Sequence, residues 1–131
     1  MTEDAPARDR PLVLAADDDA DMLELVAFRL ERSGYTVLRA HDGEQALDLA
    51  RSEKPDLAVL DVMMPKLDGF ELTRRLRAEE ATSGMPIILL TARAQDSDLD
   101  RGFGSGADDY VRKPFSPQEL SMRVQAILGR R

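Results

Sequence analysis

Residues 56–69 read DLAVLDVMMPKLDG, and the fold follows from how this stretch changes character. Asp56 to Leu60 leads with a short apolar run that has no polar face, the pattern of a strand buried on both sides of a sheet. It runs directly into Asp61, and after the turn-forming MMPKLDG a helix is expected from about Gly69 to Glu80. The same strand, loop and helix recur on either side. Upstream, Leu12 to Ala16 (LVLAA) ends abruptly in Asp17, Asp18 and Asp19. Helical spacing of Leu23, Val26, Ala27 and Leu30 follows over Ala20 to Ser33, until Gly34 stops it. Tyr35 to Ala40 is rich in β-formers, and Asp42 to Glu53 is helical again before Pro55. These elements are β1, α1, β2 and α2, so that 56–60 is β3 and 69–80 is α3.

Downstream, Met85 to Leu90 forms β4 and delivers Thr91, and Asp96 to Gly104 is a short expected α4 containing Gly102 and Gly104. Ala107 to Val111 forms β5 and leads to Lys113 and Pro114. Ser116 and Glu119 then make a capping box for α5, which ends near Leu128. Five strands alternating with five helices, joined by crossovers of this length, build a doubly wound α/β domain with a parallel sheet and its most apolar strands at the centre.

The 131 residues, 43% of them hydrophobic, suffice for one core and one domain, with residues 1–10 as a flexible N-terminal tail and 11–131 as the folded unit. A net charge of −7 argues against direct nucleic-acid binding by a basic surface. With no cysteine there is neither a disulfide framework nor a thiolate site. Lacking an apolar run long enough to span a bilayer, the chain reads as soluble and cytoplasmic.

Ligands of open parallel sheets bind beyond the carboxyl ends of the strands. Four strands deliver polar groups there: Asp17 and Asp18 after β1, Asp61 after β3, Thr91 after β4 and Lys113 after β5. Three carboxylates in one place repel one another unless a cation neutralises them. Oxygen ligands without His or Cys point to Mg²⁺, which binds one or two carboxylates together with a phosphate. Lys113 and the Thr91 hydroxyl then suit the oxygens of a phosphoryl group. Singly, each residue is better explained as a cap or a solvated surface group, and it is their joint placement that points to a site; Asp19, Asp21 and Asp42 are read as caps only.

The motifs LVLAADDD, AVLDVMMPKLDG, ILLTA and ADDYVRKPF occur in that order, with 43 residues from Asp18 to Asp61, 30 more to Thr91 and 22 more to Lys113. From Leu12 to about Leu128 the chain resembles bacterial response-regulator receiver domains of two-component signalling. The resemblance implies a flavodoxin-like (βα)5 sheet of order 2-1-3-4-5 and a set of roles. Asp61 would accept a phosphoryl group from a histidine kinase or a histidine phosphotransfer protein. Asp17, Asp18, Asp61 and the backbone carbonyl of Met63 would hold Mg²⁺. Lys113, Thr91 and the Ala92 backbone would receive the phosphoryl oxygens, Tyr110 would swing between exposed and buried rotamers, and Lys113–Pro114 would be cis. The lone histidine, His41, is read as a solvated loop residue and not as the donor.

Within the family, Met63, Arg93 and GADDYVRKPFSPQEL most resemble receivers of winged-helix transcriptional regulators, which often dimerise through α4, β5 and α5. Asp108, Asp109, Glu119, Arg123 and Arg130 match charged positions of that face, whereas Leu99 and Gln125 replace basic ones. An aspartate-nucleophile phosphatase would need an acid two residues after Asp61, where Met63 stands, so a phosphoryl carrier is expected and not a turnover enzyme. A flavin-binding relative is disfavoured by three aspartates where a phosphate loop should be. The remaining alternative, a receiver that switches without phosphate, is disfavoured by the intact set of five residues.

Overall fold

The computed structural model describes residues 10–92, 104 and 106–129. The expected tail over residues 1–9, the α4 stretch at 96–103, Arg93 and Arg130 lie outside the described residues. The remainder comprises β1 (Leu12–Ala16), α1 (Ala20–Arg32), β2 (Thr36–Ala40), α2 (Gly43–Glu53), β3 (Leu57–Asp61), α3 (Gly69–Ala78), β4 (Ile87–Thr91), β5 (Asp109–Arg112) and α5 (Pro117–Leu128).

All neighbouring strands pair in parallel, in the order β2-β1-β3-β4-β5. β1, β3 and β4 are buried at every residue, whereas the flanking β2 and β5 each keep exposed positions. Side chains alternate between the two faces, as the pleat requires. Leu14, Ala58, Leu60, Ile87 and Leu89 enter the core layer shared with α2 and α3. Val13, Ala15, Leu57, Val59, Ile88 and Leu90 enter the layer shared with α1 and α5. The strand order reverses between β1 and β3, which places a crevice at their carboxyl ends.

Each described helix starts on a side-chain cap that satisfies an otherwise orphaned backbone N–H. Asp19 accepts from the N–H groups of Asp21 at 3.0 Å and Met22 at 3.2 Å. Asp42 accepts from Gln45 and Asp68 from Glu71, both at 2.8 Å, and Ser116 from Glu119 at 3.0 Å. Two expectations need correcting. Asp21 is not a cap but lies in the first turn of α1, where its charge favours the positive helix end. The Ser116 half of the capping box forms, while the Glu119 carboxylate lies 3.4 Å from Arg123.

β4 and β5 each start two residues later than the sequence pattern implies. The backbone ahead of them bonds to a side chain: Arg77 of α3 donates to the carbonyls of Met85 at 2.7 Å and Gly106 at 2.9 Å. It also donates to Asp108 Oδ2 at 2.8 Å, an oxygen that accepts the Ile87 N–H as well. On edge strand β2, Arg39 points to the α1 side and donates to Glu24 at 2.8 Å and Glu31 at 3.0 Å.

The start of α3 is pressed onto the end of β3. Gly69 donates its N–H to the Val62 carbonyl at 3.0 Å, and a Cβ on Gly69 would lie 2.7 Å from the Asp61 carbonyl oxygen. The loop before it turns tightly at Lys66, whose φ is +72°, with Leu67 N–H donating to the Pro65 carbonyl at 2.7 Å. Gly69→Ala therefore has to displace backbone, and it is expected to destabilise the domain by about 1–3 kcal/mol in urea unfolding.

Candidate functional site

The carboxyl edge of the sheet gathers the expected residues. Asp17 and Asp61 are 2% and 4% exposed and Thr91 only 1%; Asp18, next along, is exposed. One carboxylate oxygen from each of Asp17, Asp18 and Asp61 lies within 4.8 Å of the others. Lys113 Nζ donates to Asp61 Oδ1 at 3.0 Å and lies 3.3 Å from Asp17 Oδ2.

Backbone geometry aims these groups. The Asp17 N–H donates to the Ala40 carbonyl at 3.1 Å, while its Oδ1 accepts the Asp19 N–H at 2.9 Å, so both ends of the residue are fixed. Asp61 is the last residue of β3 and sits on the start of α3. Lys113 donates its backbone N–H to the Thr91 carbonyl at 2.6 Å, and the Lys113–Pro114 bond is cis, as anticipated.

The electrostatics follow from burial and crowding. Burial pushes the Asp61 carboxyl up to about 6; the Lys113 hydrogen bond opposes the rise and the Asp17 carboxylate adds to it. Burial works against the Lys113 ammonium, but Asp61 and Asp17 outweigh it and hold its pKa above the ordinary lysine value. Among the described residues, three carboxylates facing one ammonium leave negative charge in excess, and their oxygen donors fit a small, hard divalent cation.

Other expected residues divide. The Met63 side chain is 55% exposed, and its backbone N–H bonds to Asp61. Tyr110 is buried, at 8% exposure, within the α2 and α3 core layer. His41 is exposed and its N–H donates to Gln45 Oε1 at 2.6 Å. On the β5 and α5 face, Asp109 pairs with Arg123 at 2.8 Å and Asp108 with Arg77, both within the chain. Sequence reasoning missed Arg77, since RRLR over 74–77 reads as a solvated cationic helix end.

The model of the response regulator receiver domain family matches residues 13–125. The alkaline phosphatase synthesis transcriptional regulatory protein PhoP of Bacillus subtilis is 51% identical over 118 residues, 90% of this chain and 48% of that protein. The DNA-binding dual master transcriptional regulator RpaA of Synechocystis is 47% identical over 120 residues, 92% of this chain and 50% of its own. The chain spans about half the length of these curated relatives. Among solved structures, the receiver domain of the Francisella response regulator 1452 superposes with a TM-score of 0.87 at 38% identity, covering 92% of this chain and 98% of that one. A sensor histidine kinase receiver domain from Pseudomonas aeruginosa, with a magnesium ion coordinated in its active-site cleft, gives 0.85 at 33%, with 92% and 98% covered.

The pKa rise at Asp61 has a sign that can be tested. An acid whose folded pKa exceeds its unfolded 3.8 penalises folding above about pH 6, and the penalty fades as pH falls through 6 toward 3.8. With divalent ions chelated, Asp61→Asn is expected to be more stable than wild type at pH 7. The gain should be on the order of 1 kcal/mol once solvent screening at the rim of the domain is allowed for. It should vanish near pH 4 in denaturant titrations, and a pH-independent difference would contradict the cause given.

Proposed function

The chain belongs to the response regulator receiver domain family of two-component systems, and on that premise we propose that Asp61 is its phosphoryl acceptor. A carboxylate oxygen of Asp61 attacks phosphorus in line as the P–N bond of a phosphohistidine breaks, and the donor imidazole leaves to be reprotonated. The donor belongs to a histidine kinase or a phosphotransfer protein. What supports this reading above all is the convergence of Asp17, Asp18, Asp61 and Lys113 at the sheet's crevice, with Lys113 3.0 Å from Asp61.

Asp17, Asp18, Asp61 and the Met63 carbonyl would hold Mg²⁺, which when bound offsets negative charge on the transferring group. Lys113 needs only to shift its grip from the Asp61 oxygen to a phosphoryl oxygen, so its positive charge is in place before transfer. The Thr91 hydroxyl, at the end of the next strand, donates to another oxygen, as does the Ala92 backbone. Met63, where a phosphatase would carry an acid, cannot protonate a leaving group or activate water, so the acyl phosphate persists and the domain does not act as a turnover enzyme.

The new charge biases a two-state equilibrium of the α4, β5 and α5 face, with Tyr110 as its buried reporter. The named functions of the relatives support transcriptional control as the output class, exerted outside this acidic domain, with a homodimer through that face as one means. No helix among the described residues is long and apolar enough to cross a membrane. The likeness to response regulators is what supports a cytoplasmic location.

Incubation with Mg²⁺ and acetyl phosphate should add one phosphoryl mass to the wild type and none to Asp61→Asn; no adduct on wild type would sink the assignment. Separately, Mg²⁺ at about ten times its dissociation constant should stabilise the wild type by about 1.4 kcal/mol. Thermal unfolding should show that gain sharply reduced in Asp61→Asn.

A further inference from the structure

Arg77 lies at the pole opposite the acceptor and has no part in phosphoryl chemistry, yet its side chain is among the most fully engaged in the domain. Its three donor nitrogens bind the Met85 carbonyl, the Gly106 carbonyl and Asp108 Oδ2. The approaches to β4 and β5 are thereby tied to one guanidinium. Only a planar fork with several fixed donors can hold three acceptors on two segments at once.

The backbone is shaped around this contact. Gly106 has φ +105°, and a Cβ there would lie 2.9 Å from Arg77 Cγ, so a side chain at 106 would meet both strain and the arginine stem. Asp108 is itself shared, receiving the Ile87 N–H on the oxygen that faces Arg77. Tyr110, two residues on, is therefore two residues from a fixed point, and its ring lies in the same core layer as Leu72 and Leu76 of α3. The other end of α3, about 12 Å from Arg77 along the helix, is seated on the Asp61 and Val62 backbone at Gly69.

We propose that Arg77 is a positioning residue: by gripping the approaches to β4 and β5 it holds Tyr110 inward, and through α3 it joins that arrangement to the occupancy of Asp61. The inference rests on the phosphoryl-acceptor reading only for its second half. Inward Tyr110 and an occupied acceptor favour each other, and a change that loosens the first weakens binding at the second, because linkage is reciprocal.

The chain has two tyrosines and no tryptophan, so Tyr35→Phe leaves Tyr110 as the sole fluorescent reporter. In that background, acrylamide quenching measures Tyr110 exposure without ligand, and titration with beryllofluoride in Mg²⁺ measures binding at the acceptor. Arg77→Gln is expected to make Tyr110 more accessible and to weaken beryllofluoride binding by about fivefold. Arg77→Lys, which keeps charge but not the fork, should fall between. Arg51→Gln removes an α2 to α3 ion pair with Glu79 and serves as the purely structural comparison, with both readouts unchanged. Should Arg77→Gln fail to fold, Asp108→Asn weakens one of the three grips by replacing a charged acceptor with a neutral one and is expected to move both readouts the same way by less.

Unaltered quenching and unaltered affinity in Arg77→Gln, or equal changes in Arg51→Gln, would overturn the proposal. A parent protein that takes no beryllofluoride overturns the acceptor reading instead, while the quenching arm still decides whether Arg77 holds Tyr110.

Discussion

Three carboxylates held within 4.8 Å of one another with one ammonium among them are the interaction on which the rest of this structure depends. In water such groups would separate. They stay together because each lies at, or within two residues of, the end of a strand that cannot yield: β1 and β3 are buried at every position, between two complete core layers. Burial of the strands thus supplies the force that crowds the charges. The crowding leaves a site whose unmet demand is for positive charge and whose Asp61 carboxylate already faces a lysine.

The sheet centre was legible because a fully buried strand has only one sequence pattern, an apolar run, and LVLAA, LAVL and IILL display it. The site was legible because strands of a parallel sheet end at one edge, so Asp17, Asp61, Thr91 and Lys113 were brought together by topology before any geometry was known. Asp19 and Asp42 were readable as caps from local chemistry alone, and Asp21 was misread because a cap and a first-turn acid look alike without the backbone. The starts of β4 and β5 were placed early because propensity does not register that the Met85 and Gly106 carbonyls are occupied by Arg77. A residue whose partners lie 8, 29 and 31 positions away leaves no periodic trace.

The two ends of the sheet are finished in opposite ways. At the carboxyl end, acidic groups converge and, among the described residues, one cation answers them. At the other pole a single arginine meets two carbonyls and a carboxylate, and every one of its bonds closes a gap between segments. The first arrangement leaves negative charge in excess, and the second ties the approaches to β4 and β5 together. Asp108 and Asp109, read from sequence as charges available to a second copy, are instead engaged by Arg77 and Arg123 within the chain. A partner meeting this face would therefore meet carboxylates already paired within the chain.

Arg39 carries a consequence of a different kind. It sits on the edge strand β2 with its charge turned toward the α1 side, held by Glu24 and Glu31. A foreign strand laid alongside β2 would extend the sheet and bring its own side chains over that charged trio, stripping it of water. With only five residues of backbone to offer, the edge is a poor template for cross-β growth. The same three side chains that finish the surface of the folded domain thereby make this edge an unfavourable place for a further strand to add.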